Sequence, residues 1–174
     1  MTKLVIFLVL SSGVVFLSWP SLRNPGMHGF YRFFAMETLL VLILANVDRW
    51  FVDPLSAVQI VSWCLLCSSI VLAIQGFYFL RIVGQPRGNF ENTTQLVIVG
   101  MYKYIRHPLY GSLLFLTWGA FLKDCTLLAI LLTLITSVFL YATARVEETE
   151  NIGRFGPRYE EYMKSTKMFV PFAF

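Results

Sequence analysis

The stretch CTLLAILLTLITSVFLYATA, residues 125–144, carries no charged side chain, and RVEETENIGR follows it without a break. As a helix rising 1.5 Å per residue, such a run is about 30 Å long, the thickness of the hydrocarbon core of a bilayer. Similar apolar runs occupy residues 4–19, 30–47, 55–80 and 109–122. Each is a continuous block rather than the spaced stripe of a helix lying on a soluble core, so lipid is the expected solvent. The fold class that follows is all-α: a polytopic membrane protein of about five transmembrane helices with a cytoplasmic C-terminal helical segment. Residues 1–174 are read as one integral membrane domain, with a three-helix portion over 1–83 and a portion over 84–174 that holds a helical hairpin and the tail.

Composition agrees: 57% of the 174 residues are hydrophobic and 14% charged, where soluble domains have about a quarter charged. The net charge of +4 does not indicate nucleic acid, because the basic residues are scattered between apolar runs and no recognition fold is visible. Cys64, Cys67 and Cys125 lie in or beside apolar runs, where a small polarizable side chain packs well, and no disulfide framework follows. His28 and His107 are the only histidines, so a multi-histidine metal centre is excluded and no metal is expected. Lys3 followed by an apolar run could pass for a signal peptide, but Ser18-Trp19-Pro20 is a poor cleavage site, and the segment is read as a retained first span.

Charge sets the orientation. The first and third loops and the tail hold Arg23, Arg32, Arg81, Arg87, Lys103, Arg106, Arg145, Arg154, Arg158, Lys164 and Lys167, against Lys3, Arg49 and Lys123 on the other face. The positive-inside rule then puts the N-terminus outside and the C-terminus in the cytoplasm. Asn92-Thr93-Thr94 matches a glycosylation acceptor but falls on the cytoplasmic face, where it stays unmodified. Lys123-Asp124 is a tight turn that makes the fourth and fifth segments an antiparallel hairpin, and Pro108 marks a kink or a helix start.

Chemistry is expected in the polar stretches. Gly100-Met-Tyr-Lys-Tyr-Ile-Arg106-His107-Pro108-Leu-Tyr110-Gly111 gathers aromatics, cations and a histidine at a membrane boundary. A helix starting at Pro108 would present unpaired N–H groups and its positive dipole end beside His107, which suits a carboxylate or another polar group. The competing reading is an interfacial belt, in which Tyr102, Tyr104, Arg106 and Tyr110 only anchor a helix at headgroup level. Arg145-Val-Glu147-Glu148-Thr-Glu150 follows the fifth span on the same side, and is equally readable as a solvated helix held by ion pairs with Arg154. It should break at Gly156-Pro157 and resume through Tyr159 and Tyr162, after which the aromatic residues 168–174 return to the interface. Glu37, inside the second apolar run, is expected to be buried neutral, to touch Gln59 or Gln75, or to meet substrate.

These residues resemble the integral membrane methyltransferases related to isoprenylcysteine carboxyl methyltransferase. Leu96-Val97-x-x-Gly100-x-Tyr102-x-x-x-Arg106-His107-Pro108-x-Tyr110-x-Gly looks like the first signature of that family. Glu147-Glu148, Phe155-Gly156-x-x-Tyr159-x-x-Tyr162 and Val170-Pro171 look like the second. The resemblance implies S-adenosyl-L-methionine as methyl donor, held by Thr94, Gln95, Leu96, Val97, Tyr102, His107, Pro108, Leu109, Tyr110 and Glu147 in the portion over 84–174. It leaves Arg145, Glu148 and Arg106 as the catalytic candidates, the arginines to orient a carboxylate acceptor. Two positions depart from the pattern: Thr143 stands where the family has a substrate-contacting arginine, and Asn151 where it has leucine. The extra N-terminal spans of longer eukaryotic members have no counterpart in the sequence.

The activity implied is methyl transfer to a lipidic, isoprenylcysteine-like acceptor at the membrane interface, by a monomer whose partner is the lipid bilayer. Three alternatives stand beside it: a phospholipid amine N-methyltransferase, a membrane reductase, and a non-catalytic scaffold. A reductase should show a larger basic site for a dinucleotide phosphate than this sequence has, and no Gly-rich dinucleotide fingerprint occurs in it.

The orientation predicts a labelling pattern. In a background lacking Cys64, Cys67 and Cys125, a cysteine at Asp53 should react with a membrane-impermeant maleimide in intact cells, and one at Arg158 only after permeabilisation. The reverse pattern would invert the topology.

Overall fold

A computed structural model describes residues 1–87 and 92–171. Six helices follow in order: α1 (Thr2–Leu22), α2 (His28–Asn46), α3 (Ala57–Ile82), α4 (Pro108–Phe121), α5 (Leu127–Phe155) and α6 (Pro157–Ser165). Among the described residues no strand forms; the sole β-type pairing is a parallel bridge between Ile105 and Lys167. Among the described residues four helices, α1, α2, α3 and α5, are long and apolar enough to cross a membrane by length and composition. The fourth expected span, α4, has 14 residues and starts at Pro108 instead of continuing from the preceding segment. At 1.5 Å per residue it reaches about 21 Å, short of the full hydrocarbon thickness.

The chain divides into two compact units, one of residues 1–67 and 114–147, the other of residues 68–113 and 148–174, and the boundary falls within α3, α4 and α5.

In the first unit α1 runs beside α2, tied by an ion pair of 2.6 Å between Lys3 Nζ and Asp48 and by the Ser11 hydroxyl, which donates to Glu37 Oε1 at 3.1 Å. Glu37 therefore meets a serine on α1 rather than Gln59 or Gln75, because α1 passes the polar position of α2. Helix α2 packs on α5 through a hydrogen bond of 2.8 Å between the Thr38 and Thr136 hydroxyls and a stacked Phe34–Phe139 pair. Leu42, Ala120 and Ala129 form a buried cluster, with Trp50, Phe121 and Leu132 packed against it.

The turn between α4 and α5 is where this unit concentrates its polar contacts. The last carbonyls of a helix have no partner in the helix itself, and in an apolar environment each costs several kcal/mol if left bare. Asn46 Nδ2 donates to the carbonyls of Ala120 and Asp124, at 2.9 and 3.2 Å. Gln59 Nε2 donates to those of Leu122 and Lys123, and the Ser62 hydroxyl donates to that of Gly119 at 2.7 Å. Gly119 lets α3 come this close: a Cβ there would lie 2.9 Å from the Leu66 side chain. Lys123 is buried, donates to Gln59 Oε1 at 3.1 Å and sits 3.5 Å from the centre of the Trp63 ring, a cation–π contact. Gln59 thus serves the helical turn, not Glu37. Helix α5 starts at Leu127, where the Thr126 hydroxyl accepts from the Ala129 N–H, and the expected Lys123-Asp124 hairpin forms.

In the second unit the charged run after residue 144 continues α5 to Phe155, Gly156 adopts φ +60°, and Pro157 opens α6. That positive φ suits glycine, and proline suits the first turn, so the break lies where the sequence placed it.

Asn46→Ala strips partners from two carbonyls at once. It should lower unfolding stability in detergent by about 2 kcal/mol or more, read from thermal midpoints, whereas Ser12→Ala, on an exposed stretch of α1, should leave it nearly unchanged.

Candidate functional site

The site region of the second unit begins where α3 ends. The carbonyl of Gly84 accepts the N–H groups of Thr94 and Gln95 at 2.8 and 3.2 Å, closing the loop upon its own base. Arg154 near the end of α5 donates to the Asn92 side chain at 3.2 Å and toward the Thr93 carbonyl at 3.5 Å. Of the four consecutive residues expected to line a cofactor pocket here, Thr94 and Gln95 are exposed, Leu96 is half-buried and Val97 is buried. Residues 88–91 lie outside the described residues.

A short 3-10 turn, Gly100–Lys103, then carries Tyr102 inward, where its hydroxyl donates to the Gly76 carbonyl of α3 at 3.3 Å. From Tyr104 to His107 the backbone is paired with the segment after α6. Lys167 N–H donates to the Tyr104 carbonyl, and the N–H groups of Arg106 and His107 donate to the carbonyls of Lys167 and Met168, over 2.8 to 3.1 Å. Met168 and Phe169 are accordingly buried, with the Phe169 ring 6.3 Å from that of His107. The expected return of residues 168–174 to the interface is thus corrected for these two, since backbone pairing draws them into the protein; residues 172–174 lie outside the described residues.

Three side chains converge behind this strap. Arg106 Nε donates to Glu148 Oε1 at 2.7 Å, and His107 Nε2 lies 3.6 Å from the same oxygen. The side chains of Arg106 and Glu148 are 10% and 2% exposed, too buried for the headgroup role of the interfacial-belt reading. Tyr102 and Tyr110 are buried as well, whereas Tyr104 is 48% exposed and alone among the four keeps that possibility. Arg106 Nη1 donates further to the carbonyls of Met163, at 3.2 Å, and Thr166, near the C-terminal end of α6, where the helix dipole favours a cation. The Tyr110 ring stacks on His107 with centroids 5.5 Å apart, and α4 begins its helical bonding with Gly111 N–H donating to the His107 carbonyl. His107 therefore stands immediately before the helix that Pro108, Leu109 and Tyr110 begin, at the positive end of its dipole, a setting that suits an anion.

Of the expected site residues, the structure brings together Arg106, His107 and Glu148, with Tyr110 stacked on the histidine. Glu147, half-buried, and Arg145, exposed, stand just before Glu148 on α5. The carboxylate at the centre is Glu148, one of the three residues expected as catalytic candidates, and not Glu147, the one expected to contact the cofactor. Sequence reasoning did not single out Tyr162 as a site residue. It is buried, and its hydroxyl donates to the Tyr102 carbonyl at 2.6 Å. The available signal was the pair Tyr159 and Tyr162, three apart on an otherwise charged helix, which marks a buried face. Burial, reinforced by Tyr159, pushes the Tyr162 phenol above the usual tyrosine range, so the hydroxyl keeps its proton to donate.

The family described as phospholipid methyltransferase matches residues 58–158 of this chain. A protein named methanethiol S-methyltransferase 1 from Bradyrhizobium diazoefficiens is 26% identical over 153 residues, 81% of this chain and 53% of its own length. Methanethiol S-methyltransferases from Crocosphaera subtropica and Pseudomonas deceptionensis are each 27% identical over 71 residues, 41% of this chain. The chain thus spans about half the length of the first of these relatives and about a quarter of the other two. No solved structure matches it.

Glu148→Ala would leave Arg106 buried without its carboxylate. Breaking such a pair costs about 3–5 kcal/mol, so this variant should show a large fall in thermal midpoint in detergent, and Glu160→Ala, at an exposed position of α6, a small one. Equal stabilities would refute the central place given to Glu148.

Proposed function

The chain belongs to the phospholipid methyltransferase family, and we propose that it transfers a methyl group from S-adenosyl-L-methionine to a lipophilic acceptor that reaches it from the bilayer. The observation that carries this reading is the buried Arg106, His107 and Glu148 cluster at the start of α4. The donor set fits such a cofactor. Its amino-acid end carries both a carboxylate and an ammonium, matched by the positive end of the α4 dipole and by the carboxylates at positions 147 and 148. Tyr102, His107 and Tyr110 offer aromatic faces for adenine or for a cation. Thr94, Gln95, Leu96 and Val97 border the same region of the sequence, with Pro108 and Leu109 in the helical turn itself. When bound, the cofactor supplies an electrophilic methyl group on a sulfonium. The protein's part is to hold that methyl in line with the acceptor and to keep water out, which accounts for most of the acceleration expected.

Two acceptors are compatible with this site. The isoprenylcysteine-like carboxylate is already ionised at neutral pH and needs no base, but it needs a cation to orient it. Arg106 is engaged by Glu148 and by the end of α6, and Arg145, exposed on α5, is the other arginine expected to orient it. Thr143 is buried and its hydroxyl donates to the Phe139 carbonyl of its own helix at 2.7 Å, so the position at which the resembling family has an arginine carries no charge. That favours a second reading, an apolar thiol, in keeping with the relatives named as methanethiol S-methyltransferases. A thiol must lose its proton before it attacks, so the rate would climb with pH toward the thiol pKa, about 8.5 for cysteine. A carboxylate acceptor would give a flat profile near neutrality. In the charge-derived orientation the cofactor enters from the cytoplasm, and a monomer contains the whole site.

Calorimetric titration of the detergent-solubilised protein with S-adenosylhomocysteine and, in parallel, NADPH tests the reading. Saturable binding of the first alone is expected, with His107→Ala and Glu147→Ala weakening it. NADPH binding alone would favour a reductase, and silence from both a scaffold. An acceptor screen with an isoprenylcysteine analogue, phosphatidylethanolamine and an alkanethiol then separates O-, N- and S-methylation.

A further inference from the structure

Residue 162 lies sixty positions after the loop that its hydroxyl reaches, and it is bound from both sides. The Thr166 hydroxyl donates to the Tyr162 carbonyl at 2.7 Å, as does that of Ser165 at 2.9 Å, which fixes the last turn of α6. The Tyr159 ring meets that of Tyr162 edge-on with centroids 5.8 Å apart, leaving the phenol little rotational freedom. From this anchored position the hydroxyl donates to the Tyr102 carbonyl, within the 3-10 turn Gly100–Lys103. Tyr102 passes the constraint on through its own hydroxyl to Gly76 on α3, while the turn leads within four residues to Arg106 and His107.

We propose that Tyr162 is a positioning residue for the cofactor pocket: its hydroxyl, through the Tyr102 carbonyl, holds the turn that aims Tyr102 and His107. The assignment rests on the methyltransferase reading above. In this role Tyr162 acts through the Tyr102 carbonyl, so its effect is on geometry alone. A buried phenol of this kind can also serve only to fill space, and the two roles differ in what they do to binding. A space-filling role sets how much of the protein is folded. A positioning role sets how tightly the folded protein binds.

The test is Tyr162→Phe, which keeps the ring and removes one oxygen, titrated calorimetrically with S-adenosylhomocysteine beside the unaltered protein and Arg158→Ala, an exposed position on the same helix. The proposal expects the dissociation constant to rise about tenfold in Tyr162→Phe, at a stoichiometry close to that of the unaltered protein, and to stay put in Arg158→Ala. Because the stoichiometry counts only binding-competent molecules, partial misfolding of the variant does not mask the result. An unchanged dissociation constant, with or without a lower stoichiometry, would overturn the positioning role and leave the methyltransferase reading standing. Failure of the unaltered protein to bind would remove that reading and this one with it.

Discussion

The last carbonyls of α4 and of the turn after it have no partner within their own helix, and the need to satisfy them shapes the first unit. Side chains of α2 and α3, Asn46, Gln59 and Ser62, reach the carbonyls of residues 119, 120 and 122–124. Each of these bonds has a small net value in water, but an empty carbonyl in an apolar surround costs far more than the bond itself returns. The asymmetry turns three polar side chains into register marks: sliding α2 or α3 by one residue would strand several acceptors at once. It also explains why polar residues interrupt apolar helices at these positions.

The other end of α4 meets the same requirement with opposite charge. Its first turn offers donors, and the residues before it are held by a strap and by Glu148, which takes the Arg106 guanidinium. A buried ion pair of this kind adds little net stability, since desolvation offsets most of the attraction, but it tolerates few alternative geometries. Here it fixes a carboxylate, an imidazole and a helix start within one small volume. That degree of definition is what a site for aligning two reactants needs.

Much of the fold was legible in the sequence because helices that meet lipid announce themselves by unbroken apolar runs, and because Pro108 and Gly156-Pro157 punctuate them. The short turn at Lys123-Asp124 was readable for the same reason. What escaped were contacts between residues far apart in the chain. For Glu37 the sequence left neutral burial, a contact to Gln59 or Gln75 and a contact to substrate open, and it did not point to Ser11, since nothing in the periodicity of α2 says that Ser11 will pass it. Likewise, two adjacent glutamates at 147 and 148 look alike in sequence, and only the rotation of α5 decides that the second is buried with Arg106. Met168 and Phe169 looked like interfacial residues by composition, and their burial follows from a backbone pairing that no local pattern encodes.

The pairing of Ile105 with Lys167 joins segments separated by α4, α5 and α6. A chain is synthesised from its N-terminus, so Arg106 is made some sixty residues before the carbonyls of Met163 and Thr166 that receive it. Its backbone and side-chain partners lie beyond α5, and the region around it cannot close by local folding. The contacts that complete it are of long sequence separation, which ties this region to the assembly of the whole second unit.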